Sequence, residues 1–136
     1  MRSVKILIVL PILAFVMYFV IVFINSFIIP LPAEPLSFAI LNKDNATHNI
    51  TVEIISGTGE VIFAEEYEIG PSEKIESPII TKIKGRYLIR VIMDGSIVKE
   101  RYVSVASGRG PVSITILPQE QYKFLKERIS IAQPVI

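Results

Sequence analysis

The chain has 136 residues, no cysteine, one histidine and a formal net charge of +1. That length suits one small domain; the missing cysteine excludes disulfides, thiolate metal sites and cysteine nucleophiles, and the single His48 excludes any site built on two imidazoles. The balanced charge excludes an electrostatic nucleic-acid binder.

Residues 6–24 carry no charge and no strongly polar side chain, whereas the rest of the chain is of mixed charge. At 1.5 Å per residue this run covers roughly 28 Å, about one bilayer core. A transmembrane helix is predicted over residues 6–29, after a cytoplasmic N-terminus of residues 1–5. Pro11 lies inside the run, where a membrane helix tolerates it. Tyr18, near the middle, is the candidate for contact with a partner helix through its hydroxyl. The basic start, Arg2 and Lys5, suits a signal peptide. The apolar run, however, exceeds the usual h-region, and residues 24–33 offer no small-x-small cleavage pattern. An uncleaved anchor is expected. The next basic residue after Lys5 is Lys43, so the N-terminus is expected in the cytoplasm of a single-pass cell-membrane protein, with the remainder outside.

Pro30, Pro32 and Pro35 mark residues 30–35 as a short stiff spacer. Beyond it the apolar period is two. Leu36, Phe38 and Ile40 alternate with smaller residues; Ile50, Val52 and Ile54 alternate with polar ones. Val61, Phe63, Tyr67 and Ile69 share a parity, a short strand is expected near 74–80, and Tyr87, Ile89, Val91 and Met93 share another face. Residues 96–105 and 112–117 supply the last strands. Turns fall at Ser56–Gly59, Gly70–Ser72 and Asp94-Gly95, the strongest hairpin signal in the chain. About seven short strands divided by turns predict an all-β fold, an antiparallel β-sandwich, over residues 36–118.

The stretch Lys84-Gly85-Arg86-Tyr87-Leu88-Ile89-Arg90-Val91 resembles the Gly-x-Tyr-x-Cys-x-Val strand of immunoglobulin-like domains, with Ile89 in the place of the second cysteine. Ile69-Gly70-Pro71-Ser72-Glu73, followed by Lys74-Ile75, is similar to the turn before a late strand in fibronectin-III-like modules. The resemblance covers residues 36 to about 105 and implies an immunoglobulin-like β-sandwich in which Tyr87 is the tyrosine-corner residue. Core tryptophan and cysteines are missing, which excludes an antibody-type domain.

Candidate sites are few. Asn45-Ala-Thr47 and Asn49-Ile-Thr51 are sequons on the expected outer side, so Asn45 and Asn49 are possible glycosylation positions. His48 shares parity with Ile50 and has no second histidine to help it hold a metal. Glu65, Glu66 and Glu68 do not face one way and have no oxygen-rich loop beside them, so a solvated face is expected there. No catalytic residue, cofactor or metal site is assigned, and enzymatic activity is not expected. Acidic residues concentrate in 53–76 and basic ones in 82–109. Neighbouring strands would let these neutralise each other; opposite edges would favour head-to-tail association.

Residues 119–136 are expected to form a short helix and an apolar tail. Tyr122, Phe124, Leu125, Ile129 and Ile131 are the candidates for partner contact, unless the tail packs on its own domain. Isoleucine supplies 25 of 136 residues, glutamine is scarce and Lys and Glu dominate the charges, a composition that suggests a thermophilic prokaryote, an archaeon being one such source. The expected function is a membrane-anchored extracytoplasmic binding or structural module. It is read as a non-catalytic accessory subunit with a protein partner in the membrane or envelope, a homo-oligomer being open. The architecture is also similar to archaellum stator or surface-layer-binding proteins, and to small one-helix subunits of respiratory or sulfur-oxidising membrane oxidoreductases.

Overall fold

A computed structural model describes residues 2–28, 33–120 and 127–135. The chain divides into two units, Met1–Leu31 and Pro32–Ile136.

The first unit is one helix, α1 (Arg2–Ile28). It begins four residues before the expected start, because Arg2 to Lys5 continue the same helical turns as the apolar run. Its Ile8–Ser26 stretch is long and apolar enough to cross a membrane, and none of it is buried by protein. With no water in a bilayer core, such a segment must satisfy its backbone internally. Pro11 has no N–H to contribute to that ladder. Near the other end, Ser26 turns its hydroxyl back to donate to the Val22 carbonyl at 2.9 Å, a bond that removes a polar group from an apolar surround.

Among the described residues the second unit is a two-sheet sandwich of eight strands: β1 (Phe38–Asn42), β2 (His48–Ile55), β3 (Val61–Ile69), β4 (Lys74–Glu76), β5 (Gly85–Met93), β6 (Ile97–Val105), β7 (Val112–Ile116) and β8 (Ile129–Ala132). One sheet runs β4-β1-β7-β8 and the other β3-β2-β5-β6. All pairings are antiparallel except β1 with β7, which is parallel from Phe38–Val112 to Asn42–Ile116.

Period-two patterning builds the core, since alternate side chains leave a strand on opposite faces. Ile50, Val52 and Ile54 on β2 oppose Met93, Val91 and Ile89 on β5, and all six are fully buried. From the other sheet, Phe38 and Ile40 of β1 and Val112, Ile114 and Ile116 of β7 meet them. Isoleucine and valine suit these positions because a β-branched side chain fills a pleated surface in few rotamers. Phe38 adds edge-to-face contacts with Phe63 and Tyr67, at centroid distances of 5.6 and 6.2 Å.

The sandwich does not stop at residue 118. Ile129–Ala132 is a true strand, paired antiparallel with β7 from Ser113–Ala132 to Ile116–Ile129. Ile129 and Ile131, candidates for partner contact unless the tail packed on its own domain, are buried in the domain's own core. An Ile-x-Ile segment gains more from completing a half-open sheet than from lying in water. Tyr122, Phe124 and Leu125 lie outside the described residues.

The register assigns each connection to one end of the sandwich. At the end where the chain enters, Leu36 bridges Thr81 and the β2–β3, β4–β5 and β6–β7 connections gather. At the far end lie the β1–β2, β3–β4, β5–β6 and β7–β8 connections.

Candidate functional site: an ion cluster at the far end of the sandwich

The far end is organised by polar side chains that the apolar pattern does not announce. Asn42, the last residue of β1, is fully buried. Its Nδ2 donates to the carbonyls of Ala46 at 2.8 Å and Ile69 at 3.0 Å, and its Oδ1 accepts from the Asp44 amide at 2.9 Å. This turn aims the Asp44 carboxylate back at His48. Asp94 and Gly95, with φ of 52° and 72°, form the tight β5–β6 turn, and asparagine, aspartate and glycine are the residues that accept such angles most readily. The Asp94 carboxylate comes up against His48 from that side.

His48 lies between the two acids. Its Nε2 is 2.7 Å from Asp44 Oδ2 and its Nδ1 is 2.6 Å from Asp94 Oδ2. Asp94 also accepts from the Asn49 amide through Oδ1 at 3.0 Å. Arg128, just before β8, donates from Nη2 to Asp44 Oδ2 at 3.1 Å. The Arg128 Nε is buried without a hydrogen-bond partner among the described residues.

Burial alone disfavours every charge here. It would lower the His48 pKa, but the hydrogen bonds and charges of Asp44 and Asp94 outweigh it and raise the imidazole above 6.5. Burial likewise pushes both carboxyls up, yet the His48 hydrogen bond and the backbone amides hold Asp44 and Asp94 below 3.8. The arrangement favours an imidazolium held by two carboxylates, with a guanidinium on one of them.

Both ring nitrogens are committed to carboxylates, so His48 has no free nitrogen with which to take a proton from a substrate. Among the described residues, no three His, Asp or Glu side chains are placed to hold a metal ion. What the cluster can do is clamp. It ties the β1–β2 connection, the β5–β6 turn and the segment entering β8 into one unit, and so joins the two sheets at this end.

The other residues singled out in the sequence are dispersed. Asn45 and Asn49 are exposed, in the β1–β2 connection and on β2, on either side of buried His48. Tyr18 is exposed on α1. Tyr87 packs in the core and donates its hydroxyl to the Ile83 carbonyl, four residues upstream, at 2.7 Å. On the outer face of the second sheet, Arg90 joins Glu53 and Glu100 at 3.1 and 2.7 Å, which is cross-strand neutralisation between β2, β5 and β6. Glu65, Glu66 and Glu68 fall on β3, the opposite edge of that sheet from β6.

Sequence reasoning left Asp44, Asp94 and Arg128 unassigned. The signals for two of them were present: His48 at core parity demands polar partners, and Asp94 opens the only Asp-Gly turn. Nothing local announces Arg128.

The two packed sheets, their β1–β7 closure and the Tyr87 corner define an immunoglobulin-like β-sandwich module carried behind an apolar helix. The chain belongs to the halobacterial Ig-like domain family, which matches residues 46–119. The match stops short of β1 and β8, so the structural domain is wider than the matched segment by one strand on each side. No curated protein matches the chain.

Proposed function

We propose that this protein is a membrane-anchored, extracytoplasmic binding or structural module, a non-catalytic accessory subunit of a membrane or cell-envelope complex. One observation carries the reading: an apolar helix of membrane-spanning length precedes a sandwich that buries a core of its own. Immunoglobulin-like sandwiches serve as interaction modules, an association at the level of the fold. The missing cleavage pattern supports an anchor over a removed signal. Arg2 and Lys5 before the span support an N-terminus in the cytoplasm. The isoleucine-rich composition and the family's description support an archaeal source.

The test begins with protease treatment of sealed native membranes, followed by mass spectrometry of the N-terminal peptide. An intact peptide containing Arg2 and Lys5, in membranes whose sandwich is digested from outside, is the expected result. A mature chain starting after the apolar run would overturn the anchor. Mild cross-linking and co-purification in gentle detergent then identify the partner. A polytopic subunit in fixed ratio supports the accessory role; recovery with surface-layer or filament proteins alone replaces it with an envelope-binding role.

A further inference from the structure

The two ends of the sandwich carry different chemistry. The far end mixes signs, Asp44, Glu73, Asp94, Glu120 and Glu127 standing with Lys43, His48, Lys74 and Arg128, and its buried ions are paired with one another. At the entry end the β4–β5 connection presents Lys82-Ile83-Lys84, all three exposed, and Arg109 is exposed in the β6–β7 connection beside Val135. The acids there, Glu34, Glu60 and Glu76, lie outside these segments, and Glu76 pairs with Lys74 at 3.3 Å. Lys82, Lys84 and Arg109 form no ion pair among the described residues. Ile83 and Val135 are each 74% exposed, the highest exposure of any large hydrophobic side chain described in the sandwich.

An unpaired Lys-Ile-Lys tip is a poor structural element, because it leaves an apolar side chain in water and two cations uncompensated. It is a good membrane-surface element. Lysines reach the phosphates while the isoleucine enters the headgroup layer, and each cation near an anionic surface adds attraction that fades within a Debye length. Covalent geometry adds an independent constraint. Only residues 29–35 join α1 to Leu36, and that much chain reaches roughly 25–30 Å at full extension. The entry end is the end from which the chain leaves the sandwich toward α1, so it is the end that the spacer joins directly to a bilayer that α1 would span.

We infer that the entry end of the sandwich, through Lys82, Ile83, Lys84 and Arg109, docks on the anionic headgroups of the membrane that α1 spans. The inference rests on the anchored reading above. Docking turns the ion-cluster end and the two sequons away from the bilayer and fixes the height at which partners meet the domain.

The native chain has no cysteine, so a single spin label reports cleanly. Full-length chains carrying Ile83→Cys or Ser96→Cys, the latter at the far end, are reconstituted in nanodiscs of phosphatidylcholine with or without roughly one-third phosphatidylglycerol. Accessibility to a water-soluble paramagnetic relaxant is then measured. The label at 83 is expected to lose at least about threefold accessibility in anionic discs and regain it in about 1 M salt. The label at 96 stays open throughout. Lys82→Gln, Lys84→Gln and Arg109→Gln together, at exposed positions outside the core, abolish the protection at 83. Equal accessibility at 83 in both lipids, with the chain still bound to the discs, overturns docking and leaves the anchor standing. Failure of the chain to co-purify with discs at all overturns both.

Discussion

Gln133 stands in for a strand along the edge of β6: its Oε1 accepts from the Ser104 amide at 2.9 Å and its Nε2 donates to the Ser104 carbonyl at 2.7 Å. The same Nε2 reaches the Gly110 carbonyl at 3.1 Å. One side-chain amide thus satisfies both backbone groups of a residue on an open sheet edge, where unpaired groups invite another chain. Nearby, Arg101 donates to the Ile131 carbonyl and joins the β6 edge to β8.

Gln133→Ala is expected to destabilise the sandwich by about 1–3 kcal/mol, the cost of leaving partly buried amide groups unmatched. Hydrogen exchange at Ser104 should accelerate with it. Unchanged protection at that amide would show that the Gln133 side chain is not its partner in solution.

The His48 cluster gives stability a defined pH window. A histidine raised above 6.5 contributes fully below that value, and its contribution disappears as pH climbs through the folded-state pKa. Carboxyls lowered beneath 3.8 contribute above that value and lose their effect as pH falls through their folded-state pKa. Stability should therefore be flat between 3.8 and 6.5 and decline on both sides. His48→Gln should remove the alkaline decline while lowering the plateau. Melting curves in detergent across pH 2–9 check this; parallel profiles for both proteins above pH 6.5 would contradict it.

Ile131→Ala is expected to cost about 2–5 kcal/mol, the range for emptying a packed isoleucine site. Ile83→Ser, at an exposed position, should stay within about 0.5 kcal/mol. Chemical denaturation of the two variants makes the comparison. A neutral Ile131→Ala would mean that β8 does not belong to the domain's own core.

Tyr87→Phe removes one hydroxyl and leaves the ring in place. The loss should fall near the low end of about 0.5–1.5 kcal/mol, because Ile83, whose carbonyl it frees, lies on an exposed connection where water can replace the phenol. A loss above that range would show that the corner does more than bond Ile83, and thermal unfolding decides it.

Alternation made β1, β2, β5 and β7 legible, because each buries one face and exposes the other in strict register. The same rule was less informative for β3, an edge strand whose Val61 shares the parity of Phe63, Tyr67 and Ile69 yet is exposed. Ile129 and Ile131 read equally well as a docking tail or a strand; only the vacant edge of β7, which is a tertiary property, selects between them. The ion cluster is assembled from Asp44, His48, Asp94 and Arg128, brought from three separate connections and one strand. No local period can register such a meeting.

The parallel β1–β7 pairing has a consequence for biogenesis. β1 follows directly on the helix and spacer, but one of its two strand neighbours, from Phe38 opposite Val112 onward, is nearly the last to be made. β7 in turn needs β8 to cover its other side. Loop closure across such a span must precede the contacts that reward it. The chain therefore cannot seal the first sheet until almost all of it has been made. The β2–β3 and β5–β6 hairpins, whose partners are adjacent in sequence, are free to form earlier. Truncations ending before β7 should accumulate as open, protease-sensitive forms.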